Sequence, residues 1–159
     1  GAALRHPHAQ VRRAVLAAAE QRGGGLAERI GYLGLRDRDD GVRLAALDAL
    51  GSSRRREVVA ALAGVLEDGS GSEQRRAAEA LGRLGVVEAL GPLRKVLAGR
   101  RLLSFRTTPL DEAALLALAR LPGEAAAEEL RSLAERSGSL GQLARDAIAR
   151  QTPEPPISR

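Results

Sequence analysis

His6 and His8 flank Pro7 and are the residues whose chemistry is easiest to name. Neighbouring imidazoles can ligate zinc or copper, but a structural zinc site takes four protein ligands and a catalytic one about three. No other histidine and no cysteine exists to complete such a set, so the pair reads as turn residues. Gly23, Gly24 and Gly25 form the only triple glycine. A phosphate cradle would need a lysine and a serine or threonine after it. Leu26-Ala27-Glu28-Arg29 follows instead, with an acid near the lysine's place, and the stretch reads as a flexible connection. Acid pairs such as Asp111 with Glu112 and Glu128 with Glu129 read as exposed helix positions, and both histidines lie in one tight turn. No catalytic site, metal or cofactor is expected, and the chain reads as non-enzymatic.

Arginine carries the remaining chemistry. Of the 25 basic residues only Lys95 is a lysine, and the formal charge is +5 with a pI near 11. A basic domain of this kind raises nucleic-acid binding through the phosphate backbone. The same abundance of Arg, Ala, Gly and Leu also follows from GC-rich coding. Arg54, Arg55 and Arg56 read as a solvated run balanced by acids such as Glu57. No aromatic residue interleaves that run, which disfavours a stacking platform for single strands there.

The elements that must hold these residues come from an internal period. Leu4, Leu35, Leu66 and Leu97 stand 31 residues apart, and Val11, Val42 and Glu73 keep that step. A period of this size marks one supersecondary unit stacked on itself. The second unit states it most fully: Leu35, Asp37, Asp39, Val42 and Arg43, then Ala45, Ala46, Ala49, Leu50 and Gly51. The leucine closes a first helix, an Asp or Ser caps the second, and the anchor with its alanines forms one face of that second helix. The Leu-Gly pair reads as a helix stop, with Gly51 and Gly85 suited to a left-handed turn. First helices are expected over Leu26–Leu35, Glu57–Leu66, Val87–Leu97 and Ala125–Leu133.

The fold expected is all-α: a solenoid of about four to five stacked antiparallel helix pairs. Its units run about 1–23, 24–53, 54–85, 86–122 and 123–151, followed by a proline-rich tail over 152–159. The first unit lacks its leading helix and the chain opens on Gly1, so a piece of a longer protein is expected. Hydrophobic residues make up 44% but aromatics only 1%, Tyr32 and Phe105. The core must therefore be Leu, Val, Ile and Ala in closely approaching helices. The absence of cysteine fits a reducing, cytoplasmic setting. The longest apolar runs fall short of the roughly 18 residues of a membrane span.

The Asp-x-Asp-x-x-Val-Arg phrase with Ala-Ala and Leu-Gly resembles short HEAT repeats of the kind found in phycobilisome lyase subunits, over about residues 4–150. The unit is shorter than the roughly 40–47 residues of longer HEAT and armadillo repeats. The resemblance implies a right-handed stack whose second helices line a concave surface. Such a surface commonly binds proteins, and less often nucleic acid or a small molecule. It also implies that the arginine after the anchor, Arg12 or Arg43, pairs with a turn aspartate such as Asp37 or Asp39. A tetrapyrrole-binding lyase subunit is implied too, but it would need an apolar groove, and aromatics are few.

The function expected is a non-catalytic scaffold that docks a partner protein, a peptide or another domain of the parent chain. Nucleic-acid backbone binding is the alternative. The expected surface comprises Arg13, Arg43, Arg75, Arg76, Glu79 and Arg83 on the second helices. It is joined by the insertion at Gly99–Pro109, which delays the fourth anchor to Leu110, six residues late. Arg94, Lys95, Arg100, Arg101, Phe105 and Arg106 belong to that second group.

Overall fold

Three helix starts in this chain are written in short polar residues. Asp39 is extended (φ −93°, ψ 125°) and its Oδ1 accepts the Val42 N–H at 3.0 Å, satisfying one of the free donors at a helix start. Ser70 begins the next second helix, with the Glu73 carboxylate accepting the Ser70 N–H at 2.8 Å. Thr108 and Asp111 form a reciprocal capping box, with Pro109 in the first turn. Asp111 is thus a buried cap, 4% exposed, and not the exposed helix acid that its neighbour Glu112 made it resemble.

The structure, a computed structural model, describes residues 2–99 and 107–151. Its helices are α1 (Ala9–Arg22), α2 (Gly24–Gly34), α3 (Asp40–Ser52), α4 (Val59–Asp68), α5 (Gly71–Leu84), α6 (Leu90–Gly99), α7 (Pro109–Leu118), α8 (Glu124–Ala134) and α9 (Ser139–Gln151). Short 3-10 turns at Ala2–Arg5, Arg56–Val58 and Val87–Ala89 lead into α1, α4 and α6. No strand occurs among the described residues, and the fold is the all-α solenoid expected. The proline-rich tail over 152–159 and the insertion residues 100–106 lie outside the described residues.

The helices form two layers. Second helices α1, α3, α5 and α7 pack closely along one side, and the step from α7 to α9 is sparser. First helices α2, α4, α6 and α8 cover the other side, and α4 and α6 hardly touch each other. Between the layers runs a leucine core that includes Leu47, Leu50, Leu62, Leu81, Leu93, Leu97, Leu115, Leu118 and Leu133, all essentially excluded from solvent. A smaller cluster of Leu16, Val42, Ala46 and Ala49 joins α1 to α3. Val11, expected to share the anchor's buried role, is 38% exposed, and its neighbour Arg12 is buried instead. No described element covers Val11 from the outer side of α1.

The Leu-Gly pairs do not stop helices. Gly51 and Gly82 lie inside α3 and α5 and are fully enclosed. A β-carbon on Gly82 would stand 2.7 Å from the Cα of Ala117, and one on Gly51 would stand 2.9 Å from the Cα of Ala80. These glycines let parallel second helices meet backbone to backbone. Only Gly85 does what was expected, capping α5 at φ +61°. Gly23, expected to belong to a flexible link, is a tight corner: it closes α1 at φ +63° and donates to the carbonyls of Ala19 and Glu20, and α2 starts at the next residue. The place corresponding to Gly82 is Ala119, the residue that caps α7, and there the end of α9 meets the backbone through Gln151, which donates to the Ala119 carbonyl.

Opposite responses are expected from glycines that look alike in sequence. Gly82→Ala should destabilise by about 1–3 kcal/mol, because the obstacle is backbone and the helices must part. Gly64→Ala, with nothing near its β-carbon position inside α4, should stabilise by about 0.5–1 kcal/mol. Urea unfolding of the two variants measures both signs.

Candidate binding surface on the second helices

The interface between successive units is ionic at its edge. Arg12 donates from Nε to Asp37 Oδ2 and from Nη2 to Asp37 Oδ1, both at 2.7 Å. Its Nη1 reaches the carbonyls of His6 and Pro7 at 2.7 and 3.0 Å. Every arm of a guanidinium only 4% exposed is therefore satisfied, which a buried charge requires. The fork-to-fork geometry is the strong form of this pair. Hydrogen bonding from Arg12 holds the Asp37 carboxyl below the usual carboxylate range, and Asp37 in turn raises Arg12.

Arg43 repeats the device one unit on, with a changed partner. Its Nη1 donates to the Asp37 carbonyl at 2.8 Å, as Arg12 does to that of His6. Its Nε pairs with Glu73 at 2.6 Å and its Nη2 with Asp40 at 2.5 Å. Glu73 stands where the period calls for an apolar anchor, and it caps α5 while binding Arg43. Those bonds, Arg43's first and Ser70's second, lower its pKa to about 2. In the third unit Gln74 has no acid partner and donates to a carbonyl two residues further back in the turn, that of Leu66, at 2.9 Å. Asp39, offered by sequence as a ladder partner, is used as the α3 cap.

The histidine turn follows the same geometry. His6 Nδ1 accepts the His8 N–H at 3.2 Å, where 31 residues later Asp37 Oδ1 accepts the Asp39 N–H at 2.9 Å. The imidazole thus substitutes for a turn carboxylate. Among the described residues no group of three or more His, Asp or Glu side chains gathers as a metal ion would need.

The expected docking residues separate into distinct places. Arg13 lies over Gly41 at the start of α3, its Nη1 within 3.1 Å of where a β-carbon would stand. Arg43 is committed to the ladder just described. Arg76 and Arg83 both grip Asp48 of α3, at 3.0 and 2.7 Å. Arg75 meets Glu79 on its own helix at 3.7 Å. Arg94 and Lys95 lie on α6 in the first-helix layer, away from this row, where Arg94 pairs with Glu129 at 2.7 Å and Lys95 with Glu67 at 2.6 Å. Arg55 of the basic run meets Glu28 at 2.6 Å, and Glu57 at 3.8 Å. Arg100, Arg101, Phe105 and Arg106 lie outside the described residues.

Three residues that sequence reasoning passed over complete the surface. Between α5 and α7 lies a cleft of about 360 Å³ bounded by Arg75, Glu79 and Arg83 on one side and Glu112, Leu116 and Arg120 on the other. Leu116 is 37% exposed, and the charged groups four residues either side of it, Glu112 on α7 and Arg120 just past its end, have no ion-pair partner among the described residues. The signal was present in the period: Leu116 occupies the place held by Asp48 and Glu79 in earlier units once the six-residue delay is counted. A leucine where two acids precede it marks a change of use.

Removal of Asp37 should strand the Arg12 charge. Asp37→Ala is expected to cost about 3–5 kcal/mol, read as a lower urea midpoint. The acid limb of stability carries a separate signature. Glu73 holds its proton more weakly folded, at about 2, than unfolded, near the ordinary 4.5. Its stabilisation is therefore complete above the unfolded value and is lost as pH falls towards 2. Between about pH 5 and 2 the Glu73→Gln variant should lose less stability than the parent, after starting about 1–3 kcal/mol lower at pH 7.

Comparison with known proteins accords with the architecture. Residues 30–101 match the family of HEAT repeats, a stretch running from within α2 into the insertion after α6. None of the curated proteins matches the chain. Among the described residues, no helix is long and apolar enough to cross a membrane. With stacked antiparallel helix pairs at a 31-residue period and that family match, residues 30–101 are HEAT repeats within an all-α solenoid.

Proposed function

We propose that this chain is a non-catalytic scaffold that receives a partner polypeptide on the row of second helices. HEAT repeats generally serve as protein-interaction scaffolds and are generally not enzymes, which supports the reading. The observation that carries it is the α5–α7 cleft, where Leu116 lies exposed between Glu112 and Arg120, charges that have no ion-pair partner among the described residues. Elsewhere on the row, Arg43, Arg76 and Arg83 bind acids of their own or adjoining units. A side chain held in a cross-unit pair is a poor contact for a partner, because binding would first have to break that pair.

The same pairing weakens the nucleic-acid reading. Phosphate contacts need cations free to replace counterions, and Arg55, Arg56, Arg94 and Lys95 face carboxylates. Glu79 and Glu112 line the cleft itself and would repel a phosphate backbone.

Photo-crosslinking separates these surfaces. A benzophenone side chain placed at position 79 or 112 should form discrete protein adducts in a lysate treated with nuclease. The same group at position 33, exposed on α2 in the other layer, should form few. Adducts that vanish with nuclease, or that arise only from position 33, would overturn the scaffold reading of this row.

A further inference from the structure

We infer that the α5–α7 cleft takes an extended peptide strand whose side chains on one face run basic, apolar, acidic at every second residue, a specification that rests on the scaffold reading above. The inference starts from spacing. Glu112, Leu116 and Arg120 follow one another at four-residue steps along α7 and just past its end, each step a rise of about 6 Å. Same-face side chains of an extended chain are two residues apart, about 6.6 Å. Three alternate side chains of a strand lying along α7 therefore match the three α7 groups in turn.

Charge sets the order. At the start of the cleft Arg75 is drawn to Glu79 on its own helix, at 3.7 Å, which leaves the Glu112 carboxylate uncompensated. At the far end Arg83 comes from the last turn of α5 and Arg120 from just past the end of α7. Arg83 shares Asp48 with Arg76, so one carboxylate already serves two guanidiniums, and Arg120 has none among the described residues. The cleft is negative at the Glu112 end and positive at the Arg120 end. Its apolar floor is Leu116 with Ala113, Ala117 and Pro109.

An extended strand suits the space better than a helix. A helix with its side chains is about 10–12 Å wide and would ride on the rim formed by Arg75 and Arg83. The close packing of α5 on α7, set by Gly82 against Ala117, leaves a narrow cleft that a single extended chain can enter. Either chain direction is compatible with the match, because the specification concerns which charge meets which end.

The probe is the blocked peptide Gly-Lys-Ser-Leu-Ser-Glu-Gly, titrated to roughly 10 mM into the full chain labelled with 15N, so that even millimolar binding registers. Saturable shifts are expected at the amides from Glu112 to Arg120, and replacement of the peptide leucine by serine should abolish them. Arg120→Glu should weaken binding of this peptide at least fivefold and should improve binding of the peptide whose Glu is replaced by Lys. Both exchanged groups are exposed, and circular dichroism checks that the variant folds. Absence of shifts on α7, or equal binding of both peptides by parent and variant, overturns the inference. Crosslinks from positions 79 and 112 to a protein partner would then leave the scaffold reading standing; crosslinks only from position 33 would remove that reading first.

Discussion

Two parallel helices can lie backbone to backbone only where one of them has no side chain. In this protein Gly51 meets Ala80 and Gly82 meets Ala117 in that way, and much else follows. The alanines that fill the same faces are small enough to keep the spacing short over the whole helix, so buried area comes from many modest contacts. The first helices barely approach one another.

Close approach also decides which ions can pair. The side chain of Arg12 reaches the turn of the next unit only because α1 and α3 are in contact, and it is then too enclosed to be left unpaired. Its bond to Asp37 and its hold on the carbonyls of His6 and Pro7 offset the cost of removing the charge from water. Arg43 and Glu73 do the same one step along, and Asp48 bridges α3 to α5 through Arg76 and Arg83. A slip of register between units would break several such pairs at once. Part of the basic excess of the chain is in this sense a component of its packing, through Arg12, Arg43, Arg76 and Arg83, and Glu112 and Arg120 join no such pair among the described residues.

Much of the fold was legible in residue spacing. The 31-residue period carries the leucines that end or nearly end each first helix, and Leu66, Leu97 and Leu133 are buried. Asp39 and Ser70 stand at helix starts, where short polar side chains belong. The glycines were misread because sequence does not distinguish a residue that lets a chain turn from one that lets a neighbour approach. Gly85 is the first kind and Gly82 the second, three residues apart. Asp111 was misread for a related reason: an acid in a first turn is either solvated or folded back as a cap, and only its surroundings decide. The ladder was anticipated for Arg12 and Asp37, whereas Glu73 was taken for a degenerate anchor and proves to be an ionic one.

The sequence by itself determined the unit, its helical content and the order of its elements, because helix periodicity, capping and small-residue faces are local properties repeated along the chain. It did not determine which charges remain available on the surface. That depends on distances between residues about 25 to 35 positions apart, such as Asp48 with Arg83 or Arg12 with Asp37, and those distances exist only once the units are stacked. Tertiary structure withdrew Arg43, Arg76 and Arg83 into pairs, placed Arg94 and Lys95 on the opposite layer, and left Leu116 exposed between Glu112 and Arg120. Packing decides such matters because a side chain's use is set by the neighbours that the fold supplies.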